Sequence, residues 1–492
     1  MKLEDQDLIS IQEVRRLLKQ AKKAQQEFSH FSQNQIDSIC AAIADAGEQA
    51  SVKLAKMAQE ETGFGKWQDK VTKNVFASKA VYEKYKDLKT VGVLQEHQAE
   101  KVMDIAVPMG VIAGLIPSTN PTSSIFYKAL IAVKAGNGIV FSPHPNALKA
   151  ILEAVQIVSD AATQAGAPKG LISCMTVPTL PGTQELMQND MTNLILATGG
   201  GAMVHAAYSS GTPALGVGPG NGPAFIEKSA NVRHAVSRII DSQTFDNGTI
   251  CASEQSIIVE SVNKKEVKAE LKAQGAYFMD ETEVAKLSQF ILRANGTMNP
   301  QIVGKSVQAI ADLADLNVPE ATKVLIAPDN VENVGPNDPY AREKLAPILA
   351  YFEVPDVNAA EQLAQKLLLN EGAGHTAMIH TENQAVARHY ALNVPTSRIL
   401  VNTAGSLGGI GATTNLKPAL TLGCGAVGGS ATSDNINPLN LLNLRRVAYG
   451  IHEVDEVRVS ESSSNSDLSQ TGVIPDSLVD ALVDQVLEKL SN

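Results

Sequence analysis

Apolar and polar positions follow two different periods along this chain. Residues 5–30 carry Ile11, Val14, Leu17 and Leu18 at helical spacing, with Lys19, Lys22 and Lys23 between them. That spacing predicts an amphipathic helix. Residues 34–60 and 68–86 continue in the same style, so the start is expected to be mostly α. At about 105 the pattern changes. Residues 105–116 (IAVPMGVIAGLI) form an apolar run broken by Pro108 and Gly110. Beyond it the pattern predicts a helix at 122–135, a strand at 138–142, a helix at 146–166 and a strand at 171–177. A short helix near 183–188 and a strand at 193–197 follow. Short apolar strands alternating with longer helices predict an α/β fold with a parallel, doubly wound sheet. Ligands of such sheets sit at the carboxyl ends of the strands.

From about 223 the alternation starts again, which predicts a second α/β domain. Its strands are read at 224–227, 255–260, 323–327 and 377–380, and its helices at 231–242 and 263–273. After 440–447 the composition breaks. Residues 460–470 (SESSSNSDLSQ) are serine-rich and acidic and read as a flexible linker. Periodicity returns at 475–490, where Leu478, Leu482, Val486 and Leu490 recur every four residues. Asp476, Asp480, Asp484 and Glu488 lie off that apolar face. A helix this short is marginal alone in water and needs a partner for its apolar side.

Composition narrows the function classes. The 492 residues hold 41 Lys+Arg against 52 Asp+Glu, a net charge of −11. Such acidity argues against a nucleic-acid binder working through a basic surface. No run of 18 apolar residues occurs, so no spanning helix is expected. The first residues, MKLEDQDLISIQEVRR, mix acids and bases as no secretory apolar segment does. Four cysteines (Cys40, Cys174, Cys251, Cys424) are widely spread, without CxxC or metal-ligand spacing. The expectation is a cytoplasmic protein with no disulfide framework and no metal site. The 36 glycines crowd into 199–222 and 405–429, where backbone must take positive φ or let a ligand approach.

Cys251 stands apart from the other cysteines. A single cysteine is usually a small buried hydrophobe. This one follows Asp246, Asn247 and Gly248 and precedes Ser253, Glu254 and Gln255. A polar turn that delivers a thiol to the start of a strand suits a nucleophile. The segment FDNGTICASEQS around it, after ILATGGGAMVHAAYSSGTPALGVGPGNGPAFI, resembles the catalytic core of the aldehyde dehydrogenase superfamily. The likeness is greatest to the CoA-acylating branch, including the aldehyde dehydrogenase half of bifunctional alcohol/aldehyde dehydrogenases. It extends over roughly residues 10–450, through ETGFGKWQDKVTKN at 61–74, IPSTNPTSS at 116–124, VFSPHP at 140–145, EKLAPILA at 343–350, EGAGHTA at 371–377 and LTLGCGAVGGS at 420–430.

The resemblance implies the aldehyde dehydrogenase fold: a variant Rossmann NAD-binding domain, an α/β catalytic domain and oligomerisation arms. It divides the chain into 1–222 (N-terminal helices and NAD-binding domain, with an arm near 94–104), 223–430 (catalytic domain) and 431–452 (returning arm). A linker at 453–474 and the helix at 475–492 would follow. It further implies oxidation of an aldehyde, acetaldehyde before propionaldehyde or sulfoacetaldehyde, with NAD as cofactor and CoA as co-substrate. Cys251 would be the nucleophile, and Asn120 would donate to the oxyanion. On its residues alone Asn120 reads as a turn residue before Pro121. His375 would act near CoA, since a neutral imidazole can take a thiol proton. Ser142, Pro143, His144, Thr198, Gly199, Gly200, Gly218 and Glu343 would hold the cofactor. TGGGAMVHAA is not GxGxxG, so the ordinary dinucleotide fingerprint is absent. His144 stands where a lysine is common, which leaves NAD against NADP open.

One departure is informative. Hydrolytic members carry a glutamate of an ELGGK motif upstream of the nucleophile; the position here is Val217. Valine cannot deprotonate water, which points away from oxidation to the free acid. A homodimer or homotetramer is expected, without nucleic acid or membrane as partners. The linker and short amphipathic helix resemble encapsulation peptides, so a bacterial microcompartment shell protein is the expected tail partner, with docking on its own subunit the alternative. A catalytically silent assembly protein is the alternative of another class, and intact Cys251 and Asn120 argue against it.

Overall fold

A computed structural model describes residues 4–458. The predicted helix at 475–492 and most of the predicted linker at 453–474 lie outside the described residues. The chain opens with α1 (Gln6–Phe28), where the Asp5 side chain accepts from the Leu8 N–H as an N-cap. Val14, Leu17, Leu18 and Ala21 form its buried face. Then α2 (Gln33–Thr62) begins in a capping box of Ser32 and Gln35 and stops at Gly63, whose φ is 66°. The helix predicted at 68–86 is three pieces: α3 (Trp67–Val75), a π turn over Phe76–Ala80, and α4 (Val81–Tyr85). The turn packs tightly on α2, since a Cβ on Gly47 would stand 2.8 Å from the Cβ of Ser78.

Two strands follow, β1 (Gly92–His97) and β2 (Val102–Pro108). The apolar run predicted at 105–116 is divided between β2 and β3 (Val111–Leu115). Gly110 makes the break at φ 129°, a conformation open to glycine, with Asn193 packed where a side chain would stand. β3 is the centre of a five-stranded parallel sheet with β4 (Gly138–Ser142), β5 (Ile172–Cys174), β6 (Leu194–Thr198) and β7 (Ala214–Val217). Its order is β5-β4-β3-β6-β7. The chain thus leaves β3 first to one side and later to the other, which makes a switch point at the carboxyl ends of the strands. The strand predicted at 171–177 is only β5, because the N–H groups of Thr176 and Val177 donate to the Glu13 carboxylate instead of a ladder. The connecting helices are α5 (Pro121–Lys134), α6 (Leu148–Gln164), α7 (Leu180–Gln188) and α8 (Gly201–Tyr208). Every residue of α5 is buried.

A second, seven-stranded parallel sheet runs β10-β11-β12-β9-β8-β13-β14. Its strands are β8 (Gly222–Ile226), β9 (Glu254–Glu260), β10 (Ala276–Phe278), β11 (Val324–Pro328), β12 (Ile348–Val354), β13 (Gly374–His380) and β14 (Thr396–Val401). All seven residues of β9 and of β13 are buried, as expected of strands covered on both faces. α9 (Val232–Thr244) leads into the turn before Cys251. The last strand, β15 (Leu442–Ala448), forms a three-stranded sheet in the order β1-β2-β15. Residues 93–105 and 445–458 belong to a separate compact unit. Within it Arg446 pairs with Asp104 at 3.2 Å and the Tyr449 N–H donates to the Lys101 carbonyl. Among the described residues no helix is long and apolar enough to cross a membrane. None of them form a group of three or more His, Cys, Asp or Glu able to hold a metal ion.

Candidate active site

The carboxyl ends of the five-stranded sheet open on a cavity of about 770 Å³. Residues 115–120 after β3, 142–145 after β4, 198–203 after β6 and 217–219 after β7 line it. Residues 249–251 and Glu343 close the wall.

Cys251 reaches this wall through a short turn over Phe245–Gly248. Asp246 and Asn247 hold φ of 49° and 53°, and Gly248 holds 75°. Asp and Asn are the side chains that tolerate this left-handed region, so the DNG sequence suits the turn locally. Cys40, Cys174 and Cys424 are buried, whereas Cys251 is half-buried and lines the cavity. Desolvation pushes its thiol up to about 12, with the Glu343 carboxyl adding to the effect. Gly220 stands directly behind it: a Cβ there would lie 1.8 Å from the Cys251 carbonyl oxygen.

Asn120 is the N-cap residue of α5, and Pro121 occupies the first helical position. Its side chain does not cap the helix. Instead Oδ1 accepts from Lys73 Nζ at 2.6 Å, and Nδ2 donates to the Thr249 carbonyl at 3.3 Å and to Thr119 Oγ1 at 3.2 Å. Asn120, Thr119 and Thr249 all face the cavity. Pattern reading missed Lys73. It lies in ETGFGKWQDKVTKN, where Lys70 and Lys73 sit one helical turn apart on an otherwise ordinary helix. Both lysines pair with the buried Asp246.

The residues expected to hold a cofactor line the same cavity. Ser142 Oγ shares a hydrogen bond with Thr183 Oγ1 at 2.8 Å, and Pro143 and His144 follow. His144 Nδ1 accepts from the Asn146 N–H at 3.1 Å, and burial lowers its pKa. Thr198 Oγ1 meets Thr421 Oγ1 at 3.1 Å. A Cβ placed on Gly200 or Gly218 would meet no atom within 4 Å, and one on Gly199 only Met203. These glycines therefore edge open space at the start of α8, where backbone N–H groups favour phosphate. Glu343 lies outside any helix or strand, half-buried. Its Oε1 accepts from the Gly220 N–H at 2.8 Å, and burial with Glu371 nearby pushes it up to about 8. A volume of this size with an open glycine cradle, hydroxyls and one carboxyl fits a dinucleotide.

One expected residue lies outside this lining. His375 is on β13, fully buried and outside the cavity lining. Its Nδ1 meets Thr376 Oγ1 at 3.0 Å, and its Nε2 has no partner. Burial, then Arg398, holds its pKa at about 3. Gly220 separates it from Cys251, since a Cβ there would lie 3.3 Å from His375 Cε1. Val217 lines the cavity and is 3% exposed, so no carboxylate occupies that position.

Comparison with known proteins gives the family. The model of the aldehyde dehydrogenase family matches residues 5–413. The bifunctional aldehyde-alcohol dehydrogenase AdhE of Escherichia coli (strain K12) is 45% identical over 444 residues, which is 89% of this chain and 50% of that enzyme. The chain thus spans about half the length of that relative. A probable aldehyde dehydrogenase from Listeria monocytogenes EGD-e superposes with a TM-score of 0.91 at 64% identity, over 92% of this chain and 100% of the other. An acetylating aldehyde dehydrogenase from Geobacillus thermoglucosidasius gives 0.90 at 52% identity, over 92% and 99%. By this match of sequence and fold, the chain belongs to the aldehyde dehydrogenase family.

Proposed function

We propose that the protein is a CoA-acylating aldehyde dehydrogenase that converts aldehyde, CoA and NAD⁺ to acyl-CoA, NADH and a proton, with acetaldehyde as substrate. The observation that carries this is a half-buried thiol and an amide donor on one cavity wall, with valine at 217. Cys251 Sγ adds to the aldehyde carbonyl as a thiolate, its proton passing to solvent as the proton of the overall reaction. The oxyanion then takes hydrogen bonds from Asn120 Nδ2 and the Cys251 N–H. When bound, NAD supplies the acceptor for the aldehyde hydride. Ser142, Pro143, His144, Thr198, Gly199, Gly200 and Gly218 would hold it, with Glu343 on its ribose. The acyl group is left as a thioester on Cys251. Val217 cannot activate water there, so the thioester waits for the CoA thiol, and exchange releases acyl-CoA and the Cys251 thiol. We place His375 near CoA. At a pKa of about 3 it is a weak base, so accepting the CoA proton requires CoA or water to reach its unpartnered Nε2 and raise that value.

In this reading residues 1–222 bind the cofactor, 223–430 carry the catalytic thiol, and the segments near 94–104 and 431–452 serve as arms of a homodimer or homotetramer. The test is NADH formation from acetaldehyde with and without CoA. Turnover that requires CoA is expected. Equal turnover without CoA would mean oxidation to the acid, and none with any aldehyde would mean a silent assembly protein.

For the tail, the sequence supports a tethered helix that places the enzyme inside a microcompartment shell. A fluorescent protein fused to residues 455–492 is expected to form puncta in shell-forming cells; diffuse signal there would sink the idea.

A further inference from the structure

The motif at 61–74 has no part in the chemistry above, yet it supplies a buried charge cluster directly behind the oxyanion wall. Lys73 is 2% exposed. Its ammonium donates to Asn120 Oδ1 at 2.6 Å, to Thr249 Oγ1 at 2.9 Å and to Asp246 Oδ2. All three of its donors are therefore used. Lys70 supports the same wall from one turn away, donating to Asp246 Oδ2 at 2.9 Å and to the Thr119 carbonyl at 3.2 Å.

An ammonium has donors and no acceptor. The Asn120 atom that faces it must be the carbonyl oxygen, which leaves Nδ2, the only donor of that amide, turned to Thr249 and Thr119 on the cavity wall. A half-turn would present the oxygen instead and set it against the Thr249 carbonyl; with Lys73 removed, that carbonyl alone would oppose the turn. An acceptor aimed at a developing oxyanion repels it.

We propose that Lys73 is a positioning residue of the reaction: it locks the Asn120 amide with its donor toward the cavity, and Asp246 and Thr249 hold Lys73 in place. The proposal rests on the reading of Asn120 as oxyanion donor. Burial draws the Lys73 ammonium down to about 8, with Asp246 opposing that shift, so it is protonated at neutral pH.

The test is a double-mutant cycle on the full chain with Lys73→Met and Asn120→Ala, read as kcat and KM for acetaldehyde together with urea unfolding. Asn120→Ala is expected to lower kcat by about 10²–10³, the loss typical of one oxyanion donor. Lys73→Met is expected to lower kcat by about tenfold or more within that limit, with KM changed by less than about twofold. In the Asn120→Ala background Lys73→Met is expected to add no more than about twofold, because residues acting as a unit are not additive. Lys73→Gln, whose amide can donate or accept, is read in the same way if the methionine variant loses its cooperative transition. Parental kcat in both Lys73 variants overturns the proposal, and so do costs that multiply in the double variant. If Asn120→Ala itself keeps parental kcat, the oxyanion reading fails and this proposal fails with it.

Discussion

Cys251→Ala is expected to leave no measurable CoA-dependent NADH formation, the largest loss of any single substitution. Removing a covalent nucleophile costs on the order of 10⁶ in kcat where its effect has been isolated. None of the other three cysteines, all buried, lines the cavity to replace it. The same side chain gives a pH signature in the protein without cofactor. Only the thiolate reacts with an alkylating reagent. Burial and Glu343 push this thiol up to about 12, so at pH 7 nearly all of it is protonated. Below that value the thiolate fraction rises about tenfold per pH unit, and iodoacetamide labelling of the single accessible cysteine should rise with the same slope from pH 7 to 10. A plateau near pH 8 would show that the thiol is activated before any ligand arrives. Residual turnover in Cys251→Ala would move the nucleophile elsewhere.

Much of this fold was legible because parallel sheets bury both faces of their strands. Runs such as 138–142 and 193–197 show as short apolar blocks between helical segments, and they are β4 and β6 within a residue. β5 was overread because Glu13, far away in sequence, takes the backbone donors of Thr176 and Val177. The single helix expected at 68–86 hid a π turn, where Ser78 packs against Gly47 of another helix. The site divides in the same way. Residues whose roles are carried by short contiguous motifs, Cys251 and Asn120 among them, could be named from the chain and do line one cavity. His375 could be named too, but its burial behind Gly220 is a property of β13 and the loop before β8 together. Lys73 could not be found, since a lysine one turn after another on an amphipathic helix reads as a solvated face. Only folding brings Asp246, 173 residues away, onto it.

That pairing makes Asp246 the position with the largest expected effect on stability. Asp246→Asn keeps nearly the same shape and a residue suited to φ 49°, but it removes the charge and turns one of two accepting oxygens, Oδ1 on the Lys66 N–H or Oδ2 on Lys70, Lys73 and Thr249, into a donor. Lys70 and Lys73, 3% and 2% exposed, would then share a buried site without their carboxylate. Breaking a buried ion pair by removing one partner typically costs about 3–5 kcal/mol, a large part of the roughly 5–15 kcal/mol that holds a domain folded. The acid limb of the stability curve should change as well. Desolvation favours the neutral acid, but Lys73 and Lys70 outweigh it and hold Asp246 below the usual carboxylate range. Its stabilising contribution is present above the unfolded value of about 3.9 and is lost as pH falls through the lowered folded value. The variant should therefore show a lower urea midpoint at pH 7 with an unchanged slope, and a smaller loss between pH 4 and 2 than the parent. Lys73→Met added to Asp246→Asn should return part of the stability, since one ammonium fewer is left uncompensated. A midpoint shift worth less than about 1 kcal/mol would mean that Asp69, whose carboxylate accepts from the Asp246 N–H at 2.8 Å, suffices as counter-charge for both lysines.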